Sequence, residues 1–246
     1  MHFTEYWAIL ERDHAIQNPS TPEKLRALAD YCGLRDGTRA LDVGSGKGWL
    51  LRDWARRWEI DGIGLEINPF FVAEARAQAS RADLRGRLAF VEGPALSYSP
   101  EPASFDVITC IGATFAIGSF EDAVAWMLRA LKPGGVLALG DVFQVEPHAP
   151  VVGAPAHGTA LHDLAGLAAL LEQRGLAPTG LIAASHDDWD HYLSQTWRAA
   201  HAWAAANPDH PDRAELLQQV DASRERYLRW ERQHLGWAIL VARHRP

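Results

Sequence analysis

The sequence predicts an α/β fold built on a doubly wound, mostly parallel sheet of seven strands. Short apolar segments alternate with segments whose apolar residues recur every three or four positions, which is the pattern of strands followed by amphipathic helices. The early strand segments are apolar on both faces, as parallel strands covered by helices require. The seven predicted strands are residues 39–43, 62–67, 87–92, 105–111, 135–143, 176–185 and 236–243.

Helix start signals support this order of elements. Thr21, Pro22 and Glu23 provide an N-cap, a proline in the first turn and an acidic residue behind it. Ser119 and Asp122 have the spacing of a capping box ahead of an apolar helical stripe. A further helix is predicted over roughly residues 159–174, before the sixth strand.

About fifty residues lie between the sixth and seventh predicted strands, and they predict a helical hairpin. Its arms cover residues 187–206 and 212–235, separated by the helix-breaking stretch "NPDHPD". Asp212 and Glu215 predict a capping box at the start of the second arm. The second arm carries an apolar seam at alternating spacings of four and three, formed by Leu216, Val220, Ser223, Tyr227, Trp230 and His234.

Composition bounds the class of protein. The chain has 246 residues, 48% of them hydrophobic, which is enough for one large domain with a full core. A net charge of −7 argues against a nucleic-acid partner, since domains that bind phosphate backbones are usually basic. Two cysteines, Cys32 and Cys110, supply neither a disulfide framework nor a zinc site. With no signal-peptide pattern and no long apolar run, we expect a cytoplasmic protein without membrane contact.

The stretch "RALDVGSGKGWLLRDW" passes from the first predicted strand through Gly44, Gly46 and Gly48 into a helix. A dinucleotide-binding turn has the spacing G-x-G-x-x-G, whereas here the third glycine comes one residue early. Asp42 stands at the end of the strand, where it would repel a pyrophosphate. The turn therefore favours a ligand with a cationic group.

"LDVGSGKG" resembles the first motif of class I S-adenosylmethionine-dependent methyltransferases, which have a Rossmann-like fold. "GIGLEI", "FDVITCIGA" and "LRALKPGGVLALGD" resemble later motifs of that family, in the same order. The resemblance implies a sheet that is parallel except for its last strand. It also implies S-adenosyl-L-methionine as the cofactor and S-adenosyl-L-homocysteine as its product.

The resemblance implies a cofactor site at the glycine turn. Asp42 would lie near the amino group of the methionine moiety, and Glu66 would accept from both ribose hydroxyls. The sequence departs from the family after the third strand, where Pro94 stands in place of an acid that contacts the adenine amino group. The full implied set is Asp42, Gly44, Ser45, Gly46, Gly48, Glu66, Ile67, Ala95, Ile111 and Gly112.

Residues for the methyl acceptor are predicted from position. Asp141, at the end of the fifth strand, is either a substrate contact or a loop cap. Trp189 and Tyr192 of the hairpin either line the acceptor site or pack the hairpin onto the core. If the acceptor must lose a proton, the candidate bases are His14, Asp141, Glu146, His148 and His157, which are alternatively structural or solvated loop residues. The cluster at 186–191 is interpreted as a helix N-terminus rather than a metal site, and no metal is expected.

These observations predict a single methyltransferase domain over residues 1–246. Its parts are an N-terminal lid or helix (1–38), a cofactor-binding core (39–186), a helical cap (187–235) and the final strand (236–246). Tyr6, Trp7 and His14 either cover the cofactor or dock the terminus. The expected acceptor is a small molecule, with O-, N-, S- or C-methylation and the oligomeric state left open. Two alternatives are a non-catalytic S-adenosylmethionine-binding protein and an NAD(P)-dependent oxidoreductase.

Overall fold

The computed structural model describes residues 1–146 and 161–245. Its centre is a seven-stranded sheet in the order β3-β2-β1-β4-β5-β7-β6. The strands are β1 Arg39–Val43, β2 Asp61–Glu66, β3 Arg87–Glu92, β4 Phe105–Ile111, β5 Leu131–Gln144, β6 Leu176–Ala183 and β7 Leu235–His244. The principal helices are α1 Phe3–Leu10, α2 Pro22–Cys32, α3 Trp49–Arg57, α4 Pro69–Ser80, α5 Phe120–Leu128, α6 Leu164–Gln173, α7 His186–Ala206 and α8 Arg213–Arg226.

Strand pairing confirms the predicted topology. The first five strands pair in parallel, while β7 runs antiparallel between β5 and β6. The strand order reverses between β1 and β4, because β2 and β3 lie on one side of β1 and the later strands on the other. In such sheets a crevice opens at this switch point, outside the carboxyl ends of the strands.

Most of the predicted helix starts are present. Thr21 Oγ1 accepts from the Lys24 amide at 3.2 Å, and Ser119 forms a reciprocal capping box with Asp122. The helix expected from about residue 159 instead begins at Leu164, where Asp163 caps it.

The capping box predicted at the start of α8 is wrong. The Asp212 side chain makes no capping hydrogen bond. Its carboxylate lies 3.0 Å from the amino nitrogen of Met1, so this charge joins the hairpin to the N-terminal segment.

The hydrophobic core lies on both faces of the sheet. Trp54 of α3 is fully buried on one face and Phe105 of β4 on the other. The hairpin formed by α7 and α8 packs onto the α3 face through its predicted seam, in which Tyr227 and Trp230 are buried. A smaller cluster holds α1 against the hairpin through Ile9, Leu10, Ala200, Leu216 and Val220. Within the described ranges, no helix is both long and apolar enough to cross a bilayer.

Candidate active site

The glycine turn, residues 44–48, connects β1 to α3 and has a backbone that only glycine tolerates. Gly44 and Gly48 both have φ +70°, in the left-handed region that disfavours other residues. A Cβ on Gly44 would lie 2.2 Å from the Ala113 Cβ, and one on Gly48 would lie 2.5 Å from the Phe90 ring. Gly44 and Gly48 therefore allow the turn to pack closely against Ala113 and Phe90, which a side chain at either position would prevent.

Two carboxylates flank this turn. Asp42, at the end of β1, is 4% exposed, and its Oδ1 accepts from Thr109 Oγ1 at 2.6 Å. Burial raises the pKa of Asp42 to about 7. Glu66, at the end of β2, accepts from the Gly46 amide at 2.9 Å and the Asn68 amide at 2.8 Å. Burial also raises the pKa of Glu66, so each group would gain from a ligand that stabilises its charge.

The N-terminal segment, residues 1–20, crosses the glycine turn. Gln17 Oε1 accepts from the Lys47 amide at 2.7 Å, and Lys47 Nζ donates to the Arg12 carbonyl at 2.9 Å. Asn68 Nδ2 donates to the Thr4 carbonyl at 2.8 Å, which joins α1 to the start of α4. These contacts place the predicted lid segment over the carboxyl ends of β1 and β2.

Two cavities open between this segment and the sheet. The smaller, of about 50 Å³, lies against Asp42 and the glycine turn and is closed by residues 15–18. The larger, of about 210 Å³, lies against Glu66 and reaches from the glycine turn to α1 and α7. Five aromatic side chains line the larger cavity, namely Phe3, Trp7, Phe71, Phe115 and Tyr192.

A buried cluster at the wall of the larger cavity joins two predicted site residues, His14 and Tyr192, to Glu11, which was not predicted from the sequence. Glu11 Oε1 accepts from the Tyr192 hydroxyl at 2.6 Å, and His14 Nε2 contacts the Tyr192 carbonyl at 2.8 Å. His14 Nδ1 is 3.2 Å from Glu11 Oε2. Burial raises the pKa of Glu11 to about 7 and lowers that of His14. Glu11 belongs to no motif; it caps the C-terminus of α1, directly after Leu10.

Most of the residues implied for the cofactor come together around the two cavities. Gly44, Gly46 and Ile111 line both, and Ser45 lines the smaller one. Glu66, Ile67 and Gly112 line the larger cavity. Ala95 is buried in a short 3₁₀ turn outside the lining of either cavity.

The two hairpin residues expected at the acceptor site, Trp189 and Tyr192, lie in different environments. Tyr192 lines the larger cavity, whereas Trp189 is 9% exposed and packs against Tyr227 in the core. The indole of Trp189 thus fills the space between the hairpin and the sheet, and it lies outside the lining of both cavities.

The candidate bases do not gather at one point. His14 is 2% exposed and lies behind the cavity wall, where its ring joins the N-terminal segment to α7. Asp141 accepts from the Thr114 hydroxyl and from the Val142 amide, as a capping carboxylate does. Glu146 is exposed. His148 and His157 lie outside the described residues.

The acidic cluster at the start of α7 stabilises the helix. Ser185 and Asp188 form a capping box, Lys24 pairs with Asp188, and Arg232 pairs with Asp190 at 2.9 Å. Across residues 1–146 and 161–245, no group of three or more histidine, cysteine or acidic side chains could hold a metal ion.

Comparison with known proteins shows which family the chain belongs to. A model of the methyltransferase domain matches residues 40–135. The uncharacterized protein YjhP of Escherichia coli is 31% identical over 99% of this chain and 100% of its own. A crystal structure of a SAM-dependent methyltransferase from Thiobacillus denitrificans, in complex with S-adenosyl-L-homocysteine, is 30% identical, covers 100% of both chains and has a TM-score of 0.88. This chain belongs to the S-adenosylmethionine-dependent methyltransferase family. It is an enzyme, and its cofactor is S-adenosylmethionine.

One further methyltransferase matches along nearly the whole length of the chain. The 27-O-demethylrifamycin SV methyltransferase of Amycolatopsis mediterranei is 28% identical over 97% of this chain and 88% of its own. The family assignment also decides against the oxidoreductase and the non-catalytic alternatives.

The residues at the glycine turn fit the methyltransferase cofactor. Within the described part of the chain, Ser45 Oγ and Asn18 Oδ1 are buried without a hydrogen-bond partner, and both residues line the smaller cavity. A polar ligand there would satisfy them. Asp42 would receive the cofactor's ammonium group, and Glu66 its ribose hydroxyls, since each carboxylate oxygen retains a free lone pair. Ile67, 48% exposed, offers an apolar face to the adenine.

Proposed function

We propose that this methyltransferase acts on a small-molecule acceptor, which binds in the larger cavity beside the cofactor. One observation carries the proposal. A single cavity is lined by Gly44 and Glu66 from the sheet, by Trp7 from α1 and by Tyr192 from α7. Donor and acceptor would thus lie side by side under the N-terminal segment. Direct methyl transfer requires this proximity.

The protein's own task in this reaction is to hold, orient and enclose the cofactor and the acceptor. When bound, S-adenosylmethionine supplies a methyl group on a sulfonium sulfur. The glycine turn and Glu66 would fix the cofactor from one side, and the aromatic side chains would fix the acceptor from the other. The N-terminal segment, tied down by Gln17 and Lys47, would keep water out of the cavity.

Charge and size favour a small acceptor over a polymer. The net charge is −7, and the larger cavity has about 210 Å³ of space bounded by apolar rings and two carboxylates. A nucleic acid would need a basic surface. The Amycolatopsis relative is named for methylation of demethylrifamycin SV, which supports a small-molecule acceptor here.

The test is methyl transfer from S-adenosylmethionine to a panel of small alcohols, phenols, amines, thiols and carbon acids. We expect S-adenosylhomocysteine to form only with a competent acceptor, and the product to gain the mass of one methylene group. Asp42→Asn is the inactive control, because it removes the carboxylate at the glycine turn. Transfer to a protein or nucleic acid substrate, with no member of the panel active, would overturn the small-molecule assignment.

A second experiment tests the hairpin as part of the acceptor site. Tyr192→Ala removes the only α7 side chain that lines the larger cavity among the residues described. Gln195→Ala, about one turn further along α7, half-buried and outside the lining of both cavities, is the matched control. We expect S-adenosylhomocysteine affinity within about twofold of wild type in both variants, and acceptor turnover lowered tenfold or more only in Tyr192→Ala. Equal losses of cofactor affinity and stability would mean that the hairpin is structural only.

A further inference from the structure

Glu11 is a buried carboxylate with too few partners for its charge. It is 3% exposed and lines the larger cavity. Its Oε1 accepts one hydrogen bond, from the Tyr192 hydroxyl. Its Oε2 lies 3.2 Å from His14 Nδ1, and within the described ranges neither of these two buried atoms makes a hydrogen bond. A buried carboxylate held by one neutral donor is costly, so this geometry needs a further partner.

The surroundings of Glu11 do not supply a dedicated cation. Burial lowers the pKa of His14, which disfavours its charged form. Lys47 attracts Glu11, but its ammonium is held by the Arg12 carbonyl and by Glu74 at 3.2 Å. Glu66 adds a second negative charge on the same cavity. Among the described residues, no lysine, arginine or histidine lines the larger cavity. A positive charge inside this cavity would therefore have to come from a ligand.

The aromatic side chains beside Glu11 also suit a cation. Phe3 and Trp7 form an edge-to-face pair with ring centroids 6.3 Å apart, and both line the cavity with Phe115 and Tyr192. Aromatic faces attract ammonium groups through their quadrupoles, most strongly when the site is desolvated. The Glu11 carboxylate and the aromatic rings around this cavity are two independent features, and both attract a positively charged group.

We propose that Glu11 and this aromatic wall bind a basic nitrogen of the methyl acceptor, which makes the acceptor a small amine that enters as its ammonium ion. This inference rests on the proposed function, because it takes the larger cavity as the acceptor site. Tyr192 acts as a positioning residue, since its hydroxyl holds Glu11 Oε1.

Binding of an ammonium ion should be coupled to loss of a proton from Glu11. The free carboxyl is partly protonated near neutral pH, because burial raises its pKa to about 7. An adjacent ammonium favours the ionised form, so amine affinity should rise between pH 6 and pH 8. The groups that face Glu11 are Tyr192 from α7, His14 from the N-terminal segment, Lys47 from the glycine turn and Glu66 from β2. Asp42 also titrates near 7, so the comparison must be made against a Glu11 variant.

The experiment is calorimetric titration of benzylamine and of benzyl alcohol into protein saturated with S-adenosylhomocysteine, at pH 6 and pH 8. A second pair, 2-phenylethylamine and 2-phenylethanol, tests a longer ligand. We expect each amine to bind at least about tenfold more tightly than its alcohol at pH 8. We also expect the amine to release protons, seen as a dependence of the heat on the buffer.

Glu11→Gln should abolish the preference for the amine and the proton release while the amide still accepts from Tyr192. Glu225→Gln, the same change in an exposed helical pair with Arg229, is the matched control and should retain both. If Glu11→Gln does not fold, Tyr192→Phe provides a second variant, which keeps the carboxylate but removes the hydroxyl that positions it. The preference for the amine should then weaken, and an unchanged preference would contradict the positioning role of Tyr192.

Equal affinity for amine and alcohol, or binding of neither, would overturn the inference and leave the proposed function in place. Methylation of only alcohols or carbon acids, with no amine methylated, would also overturn the inference and leave the proposed function in place. Failure of the wild-type protein to bind S-adenosylhomocysteine at all would overturn both.

Discussion

The two sides of the larger cavity are built in different ways. The side that we assign to the cofactor comes from the ends of β1 and β2 and the turn between β1 and α3, within the segment that matches the methyltransferase domain. The opposite side joins Glu11 to Tyr192, which are 181 residues apart, and both lie outside that segment. One side is thus a local backbone structure, and the other is assembled by tertiary packing. A family can keep the first while the second changes with the acceptor.

The largest effect should come from filling the glycine turn. Gly48→Ala would place a Cβ 2.5 Å from the Phe90 ring at a residue with φ +70°. We expect the free energy of unfolding to fall by about 2–4 kcal/mol, from the clash together with the backbone strain.

Gly37→Ala is the matched control for that substitution. Gly37 has φ +82°, but nothing lies within 4 Å of its would-be Cβ, so only the strain applies. Its expected cost is about 1 kcal/mol by urea denaturation. Equal costs for the two variants would show that the packing of Gly48 against Phe90 has been overestimated.

Next in size is the loss of the Asp42 charge. Asp42→Asn should lower S-adenosylhomocysteine affinity by about 10- to 150-fold, as loss of a charged hydrogen-bond partner does. The free energy of unfolding of the ligand-free protein at pH 8 should stay the same or rise, because a buried charge has been removed. Titration calorimetry and urea denaturation measure the two quantities. Unchanged affinity would place the cofactor's amino group elsewhere.

A smaller effect should appear in the pH dependence of stability. The pKa values of Glu11 and Asp42 are both raised to about 7, from ordinary values of 4.5 and 3.8. The folded protein therefore binds protons that the unfolded chain has already lost, and this stabilisation disappears as the pH rises through 7. We expect the free energy of unfolding without ligand to fall between pH 6.5 and pH 8. Asp42→Asn should flatten the decline, and a rise over the same range would contradict the burial of these carboxyls.

The smallest effect concerns the adenine. Pro94 has no side chain that could accept from the adenine amino group, so we expect little discrimination against a cofactor analogue with hypoxanthine. S-Inosylhomocysteine should bind less than about tenfold more weakly than S-adenosylhomocysteine. A loss of a thousandfold would reveal a buried acceptor for that amino group.

The difference between the two sides also explains what could be predicted from the sequence. Asp42, the three glycines and Glu66 are recognisable because a strand, a tight turn and a helix lie next to one another in the chain. The succession of strands and helices along the chain and the hairpin insertion followed from periodicity, and the structure confirms both.

The residues that we assign to the acceptor side could not be predicted from the sequence in this way. Glu11 is indistinguishable in sequence from a solvated helix residue until α1 is packed against α7. Trp189 was placed with Tyr192 as a candidate for the acceptor site, but the two side chains are about 60° apart around α7 and nearly one turn apart along it, and the indole packs into the core. Which of two neighbouring aromatics reaches a cavity depends on the rotation of the helix, and that is set by contacts with the sheet.

The central claim is that the glycine-turn side binds the cofactor and the Glu11 side binds the acceptor. The most direct test is titration of S-adenosylhomocysteine into wild-type protein, Glu66→Ala and Glu11→Gln under identical conditions. Glu66→Ala leaves the ribose hydroxyls and the Gly46 and Asn68 amides without their acceptor, so affinity should fall tenfold or more. Glu11→Gln should bind within about twofold of wild type. A comparable loss in Glu11→Gln, or unchanged binding in Glu66→Ala, would contradict this division of the cavity.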